Sequence, residues 1–314
     1  LSFGGGGPAR LTIVQSTVRD NEAGAGPGNG DGGGLYATGS NTTEIDRSLF
    51  AFNKATSGGA ISTRVNATVN VVNSTLSGNF AGDISGGISA GGTVTLRAST
   101  VANNTSGNTS PQAGAGLSTT GASGSAGRIV IQNVLLADNG VVDAAGVVVR
   151  PNANCGGIGG ANIVTEGGNL DKGTSCTTLT GTRDQRNVDP LLDVLKDNGG
   201  PTWTHALRTG SPAIDGGLAI NGMTTDQRGE PRPTDGNGDG TVGFDIGAYE
   251  AATVTPPAPT PTPTPQPPVL PPVSDGGGGG CTVGNSTVAD AGLAGLLLAA
   301  LAALGWRRRQ RVRR

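Results

Sequence analysis

The densest run of chemistry-bearing residues in the sequence is Asp235-Gly236-Asn237-Gly238-Asp239-Gly240. Its D-x-N-x-D-G spacing is that of a calcium loop, in which oxygens at positions one, three and five converge because glycine lets the backbone wrap. Thr241 would add its backbone carbonyl at position seven. Position twelve is Ile246 instead of Glu, so the neighbouring Asp245 is the expected substitute. No entering helix is evident, which separates the run from an EF-hand; the alternative is a Gly-rich polar turn. The one histidine, His205, lies in PTWTHAL. With no G-x-S-x-G elbow in the chain, it reads as a structural turn residue and not as a catalytic base. Of the three cysteines, Cys155 and Cys176 without a nearby histidine are too few ligands for zinc, and Cys281 is left over. No catalytic residue is assigned, and calcium is the only cofactor expected.

The elements that position these residues must be built from an unusual composition. The chain has 314 residues, 57 of them Gly and 19 Pro, with 3% aromatic and 14% charged residues and a mean hydropathy of −0.14. Helical bundles and coiled coils are excluded, because they need long Gly-free runs of good helix formers. Net charge is −2, and six of the arginines fall between Arg307 and Arg314, which leaves a mildly acidic body and a basic end. No basic face occurs elsewhere, so no nucleic-acid partner is expected. The start at Leu1, with no signal-peptide pattern, reads as a fragment or a processed terminus.

Five segments align without gaps: 11–21, 43–53, 69–79, 94–104 and 129–139. Column three is Ile13, Ile45, Val71, Leu96 and Ile131; column eight is Val18, Phe50, Leu76, Val101 and Leu136. Column six holds Ser16, Ser48, Ser74 and Ser99, then Val134. The last column is Asn throughout: Asn21, Asn53, Asn79, Asn104 and Asn139. Each block is followed by a small-residue turn, mostly Gly-rich, and a second short apolar run. Apolar columns two apart, rich in β-branched residues, predict strands. The asparagines are spaced 32, 26, 25 and 35 residues apart, one solenoid coil with variable turns. Stacking the coils turns each column into a pile along the axis and gives a rod of about 24 Å for five coils. The Asn column is then a structural ladder, with Asn chosen for its paired donors and acceptors and for its tolerance of left-handed turns.

The ST-x-x-x-N pattern with its Gly-Gly turn resembles the right-handed parallel β-helix repeats of bacterial surface proteins and pectate-lyase-like enzymes. The likeness covers residues 1–176 and implies an all-β, single-stranded solenoid, incomplete at its N-terminus. Residues 177–252 lose the repeat and carry DPLL, DNGGPT, THAL, GSPAIDGG, TDQRGEPRP and DGNGDGTVGFDIGAYE. This run resembles the choice-of-anchor Q domain of exported bacterial proteins, and it would cap the open solenoid end. Export implies that Cys155 and Cys176 form a disulfide, as neighbours of that domain often do. Residues 253–274 are a Pro/Thr-rich stalk of about 50 Å in polyproline II. Residues 275–314 combine a Gly run, Cys281, a short hydrophobic helix and an Arg tail, similar to CTERM-type sorting signals; Gly280 and Cys281 would mark processing or anchoring. The resemblance implies cell-surface or outer-membrane location, a tail first held in the inner membrane, and a sorting protease or transferase as partner; a plain single-pass anchor is the alternative.

The expected function is an adhesive, structural or glycan-binding surface displayed to glycan or neighbouring cells. The alternative is a surface-tethered polysaccharide lyase or glycoside hydrolase. Against it, outward column four (Val14, Asp46, Val72, Arg97, Gln132) has no acidic stack, and none of the four Trp and Tyr residues is expected in a coil strand.

Overall fold

The computed structural model describes residues 1–4, 8–24, 30–121, 127–157 and 162–253. The Pro/Thr-rich stalk, Gly280, Cys281 and the hydrophobic tail lie outside the described residues. The described chain is all-β and forms a parallel β-helix. A full coil carries four short strands, as in Leu35–Ala37, Thr42–Asp46, Leu49–Ala51 and Lys54–Ser57. Stacking produces four sheets. The first starts at Ser2–Phe3 and ends at Cys155–Gly157; the second runs from Arg10–Val14 to Ile163–Gly167; the third runs from Thr17–Arg19 to Gln185–Arg186. The fourth is parallel from Lys54–Ser57 to Gly140–Val142 and closes with an antiparallel strand, Val148–Arg150.

The second sheet has six strands, one more than the aligned blocks. Its last member escaped the alignment because Ile131 faces Thr165 and a bulge then shifts the register. Within the aligned blocks the columns stack in register. Ile13 pairs with Ile45, Ile45 with Val71, Val71 with Leu96, and Leu96 with Ile131. Column eight stacks likewise from Val18 through Phe50, Leu76 and Val101 to Leu136. These columns fill one continuous core, closed at its far end by Cys155, Cys176 and Leu179.

The corners explain how so short a coil turns. Column five (Gln15, Arg47, Asn73, Ala98, Asn133) has φ between 44° and 52°, and column ten (Asp20, Phe52, Gly78, Asn103, Asp138) between 55° and 68°. One left-handed residue therefore makes each bend between sheets. The ladder asparagines are not among the positive-φ residues, so their expected tolerance of left-handed angles plays no part. At the next corner Gly58 has φ 66°, and a Cβ on Gly59 would lie 2.5 Å from the Phe80 carbonyl oxygen, which only glycine allows.

The asparagines do hydrogen-bond along the axis. From Asn21 to Asn53, Asn79, Asn104 and Asn139, each Nδ2 donates to the next Oδ1 at 2.8–2.9 Å. The same Oδ1 accepts the backbone N–H of the preceding asparagine at 3.0–3.2 Å. From Asn53 onward the second amide hydrogen reaches a carbonyl of the preceding coil, such as Asn79 to Phe50 at 3.0 Å. The stack continues past the aligned blocks to Asn154, at 2.8 Å from Asn139, and ends on buried Asp171 at 2.6 Å. Asp171 also accepts the N–H groups of Gly173 and Cys176. Column six forms a second ladder. The hydroxyls of Ser48, Ser74 and Ser99 accept the backbone N–H of the serine one coil earlier at 3.0–3.3 Å, and the ladder stops where Val134 replaces serine.

Two predictions follow from the stack. Asn79→Ala removes the acceptor of the Asn53 backbone N–H and side-chain amide inside the core and costs about 3 kcal/mol or more in urea denaturation, whereas Asn21→Ala at the exposed first rung costs less than about 1 kcal/mol. The Cys155–Cys176 disulfide, with Cα atoms 4.9 Å apart, closes a loop over the core's end. Replacing both cysteines by alanine lowers stability by about 3 kcal/mol in the same assay.

Candidate ligand-binding surface

The third sheet lacks the alternation of a half-exposed strand. Its outward positions are small or apolar, including Leu49, Ala51, Thr75, Ser77, Thr100, Ala102, Leu135 and Ala137, and its strands in coils two to five are buried throughout. In the first coil the equivalent Thr17 and Arg19 are exposed. Such a surface needs a cover, and residues 188–251 supply it. Only residues 172–186 close the solenoid end, through Cys176, Leu179 and the added strand Gln185–Arg186. The rest of the turn-rich region runs along the flank in one compact unit with the coils. Val188, Leu192, Leu207, Ala213 and Ile246 pack on Leu135, Ala137 and Leu170.

Polar contacts fix this flanking segment to the corners. Asn133 Nδ2 donates to the Leu218 carbonyl at 2.7 Å, and its Oδ1 accepts the Leu218 N–H at 2.8 Å. Asn73 Nδ2 donates to the Thr225 carbonyl, and Asn73 Oδ1 accepts from Arg232 at 3.1 Å. Gln227 Oε1 accepts the Thr75 hydroxyl at 2.6 Å. The TDQRGEPRP and DIGAYE motifs meet beneath: Arg232 Nε lies 2.6 Å from Glu250 Oε2, and Arg228 pairs with Asp226 at 2.8 Å while stacking 3.7 Å above the Tyr249 ring. These motifs are the internal fastening of the segment.

His205 belongs to the same seam. Its Nδ1 lies 2.7 Å from the Asp193 carbonyl and must donate, so Nε2 accepts the Ser77 hydroxyl at 2.9 Å. A serine–histidine contact of this length has the spacing of a nucleophile and its base. Both residues are 97% or more buried, with 3% or less exposure, and the ring is oriented by a carbonyl. Burial pushes the imidazole below its ordinary value. The pair holds the segment down. Ser77 was the partner that the sequence did not single out; its position in outward column nine beneath a motif histidine was the available signal.

The residues of the calcium-like run are spent on the loop's own turns. Asp235 accepts the N–H groups of Gly238 and Gly240, Asn237 that of Asp239, and Asp239 that of Thr241. Asp215 enters from outside, accepting from Gly236 and Asn237. Burial raises the Asp215 carboxyl, and the charges of Asp235 and Asp239 add to that effect. Asp245 does not join the run. It is fully buried, and its two oxygens take the N–H groups of Asp215 and Ala251 at 2.8 and 2.5 Å. Among the described residues no three His, Cys, Asp or Glu side chains form a metal-holding group.

The flanking segment also builds a wall. Between its residues 220–225 and the outside of the second sheet lies a groove of about 390 Å³, lined on the sheet side by Asp46, Arg47, Val72, Asn73 and Arg97. Asp46, Val72 and Arg97 are the stacked column-four residues. Arg47 Nε lies 2.9 Å from Asp46, while Arg97 reaches Gln132 at 3.3 Å and Glu166 at 2.8 Å. Such exposed pairs contribute little stability and exchange partners at small cost. Val72, Ile220 and Met223 supply apolar surface between them. The groove can therefore hydrogen-bond hydroxyls and stack aliphatic faces. One residue beyond Thr202, whose hydroxyl bonds the Arg47 carbonyl, Trp203 is 41% exposed. With Phe52 it flanks the Arg19 guanidinium at 5.8 and 5.7 Å. Tyr36 lies in the strand Leu35–Ala37, which corrects the expectation that no Trp or Tyr would occupy a coil strand.

No protein-family model, no curated protein and no solved structure matches the chain.

Arg232→Met leaves the Glu250 carboxylate buried without its guanidinium and the Asn73 Oδ1 without its donor. It lowers stability by about 3–5 kcal/mol. Limited proteolysis then cuts first within residues 188–251, ahead of the coils.

Proposed function

We propose that the protein is an exported, surface-anchored bacterial β-helix whose role is adhesive or structural, with glycan as the ligand of its lateral groove. The groove between column four and residues 220–225 carries this reading: it offers guanidinium, carboxylate and amide groups around apolar surface, the combination that suits a polyhydroxylated chain. The disulfide is consistent with an oxidising compartment. The motifs in residues 177–252 support a choice-of-anchor Q likeness, and the sequence of residues 275–314 supports a sorting tail, with Gly280 and Cys281 at the processing point and the membrane and a sorting protease as partners.

Binding to a panel of immobilised polysaccharides tests the proposal. Arg97→Ala and Asp46→Ala are expected to weaken the binding seen for the parent protein about tenfold each, with unchanged thermal stability, because one lost polar contact is worth about 1.4 kcal/mol. Binding that survives both variants removes the groove from the reading, and release of unsaturated or reducing sugar replaces it with the polysaccharide-degrading enzyme. Mass spectrometry of the mature C-terminus tests the tail, where an intact Arg307–Arg314 refutes processing. Calorimetric calcium titration against an Asp239→Ala control tests the loop: saturable heat lost in the variant assigns calcium to Asp235, Asn237 and Asp239, and no heat leaves a turn held by its own side chains.

A further inference from the structure

The seam beneath the flanking segment contains an unbalanced set of charges. Asp226, Asp245 and Glu250 are each 1% exposed or less, and they share the site with the side chains of Arg232, fully buried, and Arg228, 9% exposed. Three carboxylates thus face two guanidiniums in a place water does not reach. Arg228 is committed to Asp226 and Arg232 to Glu250. Asp245 has no ion pair; its oxygens take only backbone N–H groups, and its own N–H donates to Glu250 at 3.1 Å. Around Asp226, Asp245 and Glu250 the solenoid side presents only neutral groups, Asn73, Thr75, Thr100 and Asn133; at His205 it presents Ser77 and the charge of Asp138, which is itself paired with Lys172. Arg183 from the last coil spends its guanidinium on the Gly217 carbonyl, and Arg47 and Arg97 lie in the groove. On the segment itself, Asp215 faces Asp235 and Asp239.

We propose that this cluster makes the flanking segment a proton-linked latch, in which Asp245 keeps its proton while the segment is docked on the third sheet and releases it to solvent when the segment lifts. Desolvation makes an unpaired buried carboxylate costly in its ionised form. Burial first, and the charge of Glu250 second, push Asp245 up to about 7 against the restraint of its two N–H donors and Arg232. Glu250 is raised too, chiefly by burial. The lifted segment, in water, returns Asp245 to its ordinary 3.8. The docked form therefore holds the extra proton, and its advantage is complete at low pH and lost as pH rises toward about 7. His205 works in the opposite direction. Its buried ring falls below 6.5, so docking loses stability as pH drops beneath that value. The two groups act in opposite directions in the parent protein, so removing His205 isolates the contribution of the latch.

The test is amide hydrogen exchange on the full chain carrying His205→Gln, corrected for intrinsic rates. Two amides report docking: Gly247 N–H on the Asn133 carbonyl and Ala248 N–H on the Thr100 hydroxyl. Their protection is expected to fall about tenfold per pH unit between about pH 5 and about pH 7 and to level off above, while Asn79 in the ladder stays unchanged. Adding Asp245→Asn should remove most of the slope and leave only the part that Glu250 contributes. Protection independent of pH in His205→Gln overturns the latch. Should that variant not fold, the carboxyl carbon resonance of Asp245 in the parent protein decides: a midpoint near 7 supports the proposal, and an ordinary aspartate midpoint refutes it. The result is independent of whether the groove binds glycan.

Discussion

The constraint that governs this molecule is that polar groups sealed between coils must be paired coil by coil. A solenoid built from Ala, Val, Ile and Leu with few aromatics buries little area per coil, so an orphaned donor in its interior is costly, and Thr43 Oγ1 is a rare one among the described residues. The Asn column answers this at one corner, where each amide accepts two hydrogens from the coil before it and donates both of its own. The serine column answers it at another. Because both ladders run along the axis, they also set the register: a slip of one residue would bring a neighbour such as Phe52, Gly78 or Lys54 opposite the asparagines and expose column three. The end of the Asn ladder needs an acceptor with no donor of its own, and Asp171, accepting three N–H groups, provides it.

The same rule shapes the flank. Strands of the third sheet carry small outward residues because another layer lies on them, and that layer has almost no regular structure of its own, only isolated bridges such as Leu192 with Leu207. Its backbone groups are instead satisfied by side chains, many of them charged. This is why the motif-dense stretch carries Asp, Arg and Glu where the coils carry Val and Ile. The charges substitute for a sheet ladder, and they cost desolvation that a sheet would not have incurred.

Column three, column eight and the Asn column were legible because each repeats at equivalent positions with one physical demand, and repetition makes a weak preference visible. The sixth coil was hidden by a single bulge after Ile131 and by Thr165 in a place that asked for an apolar residue. The left-handed corners were harder to read. Gln15, Arg47, Ala98 and Phe52 have no preference for positive φ; they adopt it because the flanking strands fix both ends, an override by tertiary structure. Lateral packing of residues 188–251 had a sequence signal in the lost alternation of Leu49-Phe50-Ala51 and Leu135-Leu136-Ala137, but an unbroken apolar run also fits a strand buried by its own coil. The groove had none, since it joins residues more than a hundred positions apart.

The arrangement also explains why the flanking layer, and not the coils, carries the features open to change. The solenoid is a stack of near-identical contacts in which any local loss is shared by neighbours on both sides. The flank has no such redundancy: Gln227 and Arg232 each make contacts that no equivalent residue repeats. A groove wall formed from such a layer inherits its stability from the charged seam beneath it. Residues 220–225, which face column four, are joined through Thr225 to Asn73 and through Met223 to Arg232. The outer rim of the groove and the buried seam thus meet in one short segment, so the shape of the groove depends on groups that do not line it.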